Sequence, residues 1–193
     1  MVRLTRFADE AFIEAAIALA AEGGGAAATI AAIARRVGAP NGSIYHRFES
    51  RAALLGTAWN RAHGDFVAAL APSLRRGDGR AAAQALLDWA RLDLRRARFL
   101  LLNDAASLLE AAPPEPIRAD MQRQEDELDE AFRTLLRCEG DPEDAELAAR
   151  WRFLVFDGPI ALVRPHLLSG SGLPGWLDGM IAALHRAGTM VPA

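Results

Sequence analysis

Lysine is absent from the 193 residues, and cysteine and tyrosine occur once each, as Cys138 and Tyr45. A single cysteine excludes an intramolecular disulfide and any CxxC zinc site, consistent with a reducing, cytoplasmic setting. The four histidines, His46, His63, His166 and His185, are scattered and have neither paired carboxylates nor an activated serine beside them. That argues against catalysis. No cofactor fingerprint appears, so neither an enzyme nor a cofactor is expected. Long apolar runs are also missing. The stretch Ile13 to Ala21 is interrupted by Glu14 and followed by Glu22, and has no cleavage-like boundary. Phe153 to Val163 contains Asp157 and Pro159 and is too short to cross a bilayer. The expectation is a soluble protein with no membrane partner.

What is present is an Ala/Leu/Arg-rich, 51% hydrophobic chain that can bury a core in one or two domains. Its net charge of −3 is unevenly spread. Met1 to His63 carries 7 Arg against 5 acids, net +2, and the remainder 15 Arg against 20 acids, net −5. A basic head on an acidic body orients an approach to a polyanion. Arginine alone supplies the cations, and its fork suits phosphate, although genome composition would give the same bias.

The head contains TIAAIARRVGAPNGSIYHRF, Thr29 to Phe48. Ile30, Ile33, Ala34 and Val37 recur at helical spacing, with Arg35 and Arg36 toward solvent. Thr29 is placed to cap the helix and Gly38 to end it, while Pro40 forbids its continuation. Ile44 and Phe48, four apart, anchor a second short helix and leave Asn41, Ser43, Tyr45, His46 and Arg47 outward. This pattern is that of a DNA-reading helix-turn-helix, because donors for phosphate oxygens and short polar groups for base edges lie together. Gly42 costs a helix about 1 kcal/mol relative to alanine, which close approach to a groove would offset. Ser50 caps a further helix, with Arg51 in its first turn, where only an anion such as phosphate makes a cation favourable.

Those residues resemble the N-terminal domain of the TetR family of bacterial transcriptional regulators, from about Phe12 to Leu55. The matching positions include Ala16 and Leu19, the glycine after Glu22, Thr29-Ile30, Ile33-Ala34, Gly38, Gly42-Ser43-Ile44-Tyr45, Phe48, Arg51 and Leu54-Leu55. The resemblance implies that Thr29, Tyr45 and Arg51 hold phosphates, with Asn41, Ser43 and His46 nearest the bases; Gly42 keeps its place among the DNA-binding residues through the close approach it allows. Three positions depart from the family pattern. Gly25 stands where an aromatic is usual, Pro40 replaces a small hydroxyl residue and shifts capping to Asn41, and Arg51 replaces lysine. Base preference therefore does not transfer.

Beyond the head, the stripe Leu54, Leu55, Ala58, Trp59, Ala62, Phe66, Leu70 is expected to end at Pro72. A long helix from about Arg80 to Ala111 and another from Pro116 to Cys138 follow. Consecutive acids at Glu125 to Glu130 point around the latter helix and read as a solvated face, not a metal site. Gly140-Asp141-Pro142 opens a helix with Asp141 as its cap. From Trp151 it is apolar nearly all round, and Pro159 and Pro165 should bend or end it. A last helix spans about Gly175 to Ala187.

The expected architecture is all-α, with a three-helix helix-turn-helix domain at 1–55 and a helical effector-binding and dimerisation domain at 56–193. By resemblance the last two helices pair two copies, placing two recognition helices about one turn of operator DNA apart. The resemblance also implies a small apolar or amphipathic effector, for which Trp89, Phe99, Leu102, Met121, Phe132, Trp151, Phe153 and His166 are the candidate lining. The expected protein is thus a homodimeric repressor that binds double-stranded operator DNA. The competing expectation is a helical small-molecule-binding or enzymatic protein with a vestigial DNA-binding head, which would bind random and genomic DNA equally weakly.

Overall fold

Helical periodicity governs the chain, and no strand occurs among the described residues. The computed structural model describes residues 8–189; the outer ends of the two expected domains, 1–7 and 190–193, lie outside them. In order come α1 (Asp9–Gly23), a 3-10 turn (Gly25–Ala27), α2 (Ile30–Val37), α3 (Gly42–Tyr45) and α4 (Arg51–Arg75). Then follow α5 (Gly79–Leu92), α6 (Leu94–Leu101), α7 (Ala105–Leu109) and α8 (Glu115–Glu139). The chain closes with α9 (Ala145–Arg152), a π turn (Phe153–Asp157), α10 (Gly158–Ser169) and α11 (Trp176–Thr189).

Several boundaries differ from expectation for identifiable reasons. Pro72 does not end α4. It lies on the exposed side while Ala71, Ser73 and Leu74 are buried, so packing outweighs the one hydrogen bond that proline removes. The helix stops at left-handed Gly77, where Gly77 and Asp78 N–H groups bond to Leu74 and Ser73 carbonyls at 2.9 and 3.0 Å. This is a Schellman ending. The expected 80–111 helix is three helices. Asp93 is extended, and Asp104 is an N-cap whose carboxylate accepts from Ser107 N–H at 2.8 Å. Asp141 is held in a local turn by Glu143 N–H at 3.0 Å, so Asp144 caps α9 instead, accepting from Glu146 N–H at 2.8 Å. Neither Pro159 nor Pro165 ends the following helix. A π turn precedes Pro159, and Pro165 lies inside α10.

Packing divides the chain into two compact units, Met1–His63 with Arg95–Gln122, and Gly64–Leu94 with Arg123–Ala193. Residues 95–122 therefore pack with the head although they lie beyond residue 55. In the first unit Phe12, Ala16, Ile17, Ile33, Ala34, Ile44, Leu54, Phe99 and Leu108 form one core. Burying a large apolar side chain contributes about 1.5–3 kcal/mol, so this cluster dominates the stability of the unit. In the second, Leu86, Leu87, Leu135, Leu154, Val155, Leu177 and Ile181 are buried, and Phe66 meets Trp89 edge-on at 5.2 Å.

Candidate DNA-binding surface

The surface is built by two short helices whose ends are locally specified. Thr29 Oγ1 accepts from Ala32 N–H at 3.1 Å, as its place ahead of the apolar stripe predicts. At the other end Gly38 is left-handed, and Gly38 and Ala39 N–H groups bond to Arg35 and Ala34 carbonyls at 3.2 and 2.9 Å. Ile33 and Ala34 are buried beneath, against α1. Arg36 turns back to Glu22, forming two bonds of 2.7 Å that hold the Glu22 carboxyl below its ordinary range.

After Pro40 the chain is helical at once. Ser43 N–H bonds to the Pro40 carbonyl at 2.9 Å and Ile44 N–H to that of Asn41 at 3.1 Å. Asn41 consequently has helical dihedrals and makes no side-chain cap, contrary to expectation. Its amide is left on the outer face. Ile44 and Phe48 are buried, fixing which side of this element faces out. Asn41, Gly42, Tyr45 and His46 are exposed, Ser43 is half-buried, and Tyr45 is 60% exposed. A Cβ built on Gly42 meets no neighbour within 4 Å. No packing need among the described residues accounts for a glycine there.

Two arginines differ from expectation. Arg47 is half-buried, ion-paired with Asp9 and placed over the Phe12 ring at 6.0 Å. Arg51 follows Ser50, whose hydroxyl accepts from Ala53 N–H at 3.0 Å. The guanidinium turns inward: Nε reaches Ala28 O at 3.1 Å, Nη2 reaches Gly25 O at 2.6 Å and Nη1 reaches Leu108 O at 3.3 Å. Each of these three carbonyls lies within reach of its fork.

The eight residues expected to line an effector site are divided between the two units. Phe99, Leu102 and Met121 fall in the first unit; Phe99 is fully buried against Trp59, and Met121 packs on the same core. Trp89, Phe132, Trp151, Phe153 and His166 fall in the second. There Phe153 is half exposed, Phe132 meets Phe156 at 5.6 Å, and His166 meets Trp176 at 5.9 Å and Ser171 Oγ at 3.4 Å. Trp151 is buried, its indole N–H has no acceptor among the described residues, and its ring lies 6.1 Å from His185. A groove of about 400 Å³ in the first unit is lined by Ala8, Ala11, Glu14, Ala15, Ala18, Arg36, Val37 and Arg95, none of them an expected effector residue.

Sequence reasoning missed His185. Its Nε2 lies 2.9 Å from the Leu154 carbonyl, so that nitrogen carries the proton, and burial lowers its pKa. The partner is a carbonyl of the π turn, and no local pattern announces such a turn. The runs Glu127 with Arg75 and Glu130 with Arg137 also show where acids of α8 go, each pair at 2.8 Å.

A capped helix, a Gly/Pro turn and an outward polar helix in an all-helical chain make a helix-turn-helix, the arrangement that DNA-binding regulators use. Residues 12–58 match the model of the bacterial regulatory proteins of the tetR family. Over those residues the chain is similar to that family. Over nearly its whole length it shares the fold of solved regulators. A TetR-like transcriptional regulator from Rhodococcus sp. RHA1 is 18% identical, with 95% of this chain and 96% of that one covered at a TM-score of 0.69. The fatty acid degradation regulator FadR from Bacillus halodurans is 16% identical, with coverage of 95% and 99% and a TM-score of 0.61. SmeT, the repressor of the Stenotrophomonas maltophilia multidrug efflux pump SmeDEF, is 19% identical, with coverage of 98% and 96% and a TM-score of 0.59. No curated protein matches the chain in sequence.

Proposed function

We propose that the protein is a homodimeric transcriptional repressor whose 1–55 segment reads operator DNA and whose remainder carries dimerisation and effector binding. The observation that carries this reading is the outer face of residues 41–46. Buried Ile44 and Phe48 hold it outward, and among the described residues the side chains of Asn41, Ser43, Tyr45 and His46 make no hydrogen bond. Asn41, Ser43 and His46 read base edges, Gly42 lets the backbone come close, and Thr29 and Tyr45 hold phosphates. A lone head contacts one half-site; a second copy doubles the contact and sets the half-site spacing.

The last two helices supply the dimer face. Leu168, Trp176 and Met180 on α10 and α11 are 61%, 58% and 46% exposed, whereas Val163, Leu167, Leu177 and Ile181 point into their own unit. Large apolar side chains exposed on these two helices favour a matching surface. SmeT is named as a repressor and FadR as a regulator of fatty acid degradation, which supports repression and a small apolar or amphipathic effector here. The effector releases DNA only if it binds the free and DNA-bound states with different affinity. Such a protein works where the chromosome is, in the cytoplasm. Among the described residues no helix is long and apolar enough to cross a membrane.

Capture of fragmented genomic DNA by the purified protein, followed by sequencing, tests the reading. A small set of related palindromic fragments supports it, and uniform weak retention of all fragments sinks it. On a retained fragment Tyr45→Ala should weaken binding about tenfold per engaged head, from loss of a charge-assisted hydrogen bond of about 1.5 kcal/mol in each, at unchanged melting temperature. Equal affinity of the variant removes Tyr45 from the contact set.

A further inference from the structure

We infer that Arg51 is a positioning residue of the DNA-binding head: it staples the turn ahead of α2 to the end of α7, and is not a phosphate ligand. The inference rests on the reading of the head as a DNA-binding domain. Three guanidinium nitrogens each have their own carbonyl, Ala28 O at 3.1 Å, Gly25 O at 2.6 Å and Leu108 O at 3.3 Å. Glu110, just past α7, adds a carboxylate 3.3 Å from Nη1 and leaves the side chain only 20% exposed. The cation opens α4, where the helix dipole disfavours it. Carbonyl oxygens and a carboxylate supply the opposing negative charge that phosphate was expected to bring.

The backbone around it is shaped for the same contact. A Cβ on Gly25 would lie 3.2 Å from Leu108 Cδ1 and 3.3 Å from Leu108 Cα, so a bare backbone lets α7 come this close. Glu110 turns the chain at a φ of 61°, left-handed for a residue with a side chain, and thereby sets its carboxylate toward Arg51. Leu108 and Ala28 are buried beside the staple. The stapled turn leads directly into Thr29, the cap of α2. Arg51 thus fixes where the helix-turn-helix begins relative to α4 and α7. Lysine, with one nitrogen at its tip, cannot replace three separately placed donors.

Arg51→Lys and Arg51→Ala decide the matter. Binding to a short fluorescein-labelled duplex of mixed sequence is measured across a salt series, and amide hydrogen exchange is followed at residues 25–29 and 105–110. A staple predicts that both variants bind about equally weakly, severalfold below wild type. The slope of log affinity against log salt stays unchanged and exchange in both segments speeds up. Wild-type affinity for Arg51→Lys, a slope reduced by about 0.9 per head for Arg51→Ala, and unaltered exchange would make Arg51 a phosphate ligand and overturn the inference. If wild-type protein binds neither this duplex nor any captured genomic fragment, the DNA-binding reading fails by itself. Exchange then decides alone: faster exchange in Arg51→Lys upholds the staple, and unchanged exchange overturns it.

Discussion

Replacing Gly42 by alanine separates the demands of folding from those of DNA contact. Gly42 opens α3, its φ is not positive, and a Cβ placed there meets no neighbour within 4 Å. The methyl therefore costs nothing inside the protein, and it restricts the unfolded chain. Such a change stabilises by about 0.4–1 kcal/mol, and the four-residue length of α3 favours the lower end. For a chain of this size that raises the melting temperature by about 1–3 °C. Against DNA the same methyl is an intruder. If the backbone of α3 approaches the groove, overpacking costs about 1–3 kcal/mol per head, at least roughly fivefold in affinity and more when both heads engage. Thermal denaturation followed by circular dichroism and fluorescence anisotropy on a captured genomic fragment, at one fixed salt concentration, read the two effects independently. A more stable variant that binds as well as wild type would refute the close approach. A less stable one would refute the open space around Gly42.

Two predictions concern the second unit. Asp178 accepts from Arg91 at 2.7 and 2.8 Å and from Gln84 at 2.6 Å, which lowers its pKa from 3.8 to about 2. A depressed carboxylate contributes stability above its unfolded pKa and loses it as pH falls toward the folded one, so the window runs from about pH 4 to about pH 2. Because the carboxylate is 42% exposed, screening reduces the contribution to about 1 kcal/mol. Urea midpoints of wild type should therefore exceed those of Asp178→Asn at pH 7 and converge toward pH 2; an equal gap at both ends contradicts the pairing. Gly79→Ala should destabilise by about 1–3 kcal/mol, since the new Cβ would overlap the buried Trp151 ring. An unchanged melting temperature would show that the ring yields freely.

Local sequence suffices for the helix-turn-helix. Thr29, Gly38, Pro40, Ile44 and Phe48 act through dihedral preference, capping and 3.6-residue periodicity, all of which operate within a few residues. The outward set at Asn41, Gly42, Tyr45 and His46 was legible for the same reason. Tertiary structure decided the rest. Pro72 sits inside a helix because neighbours bury Ser73 and Leu74, which outweighs its local veto. Phe99 reads like a cavity residue by composition, yet it fills the core of the head because residues 95–122 pack there. Arg51 finds its third carbonyl at Leu108, 57 positions along the chain. Local chemistry placed that arginine at the start of a helix, but which oxygens it meets depends on chain segments brought together only when the core closes.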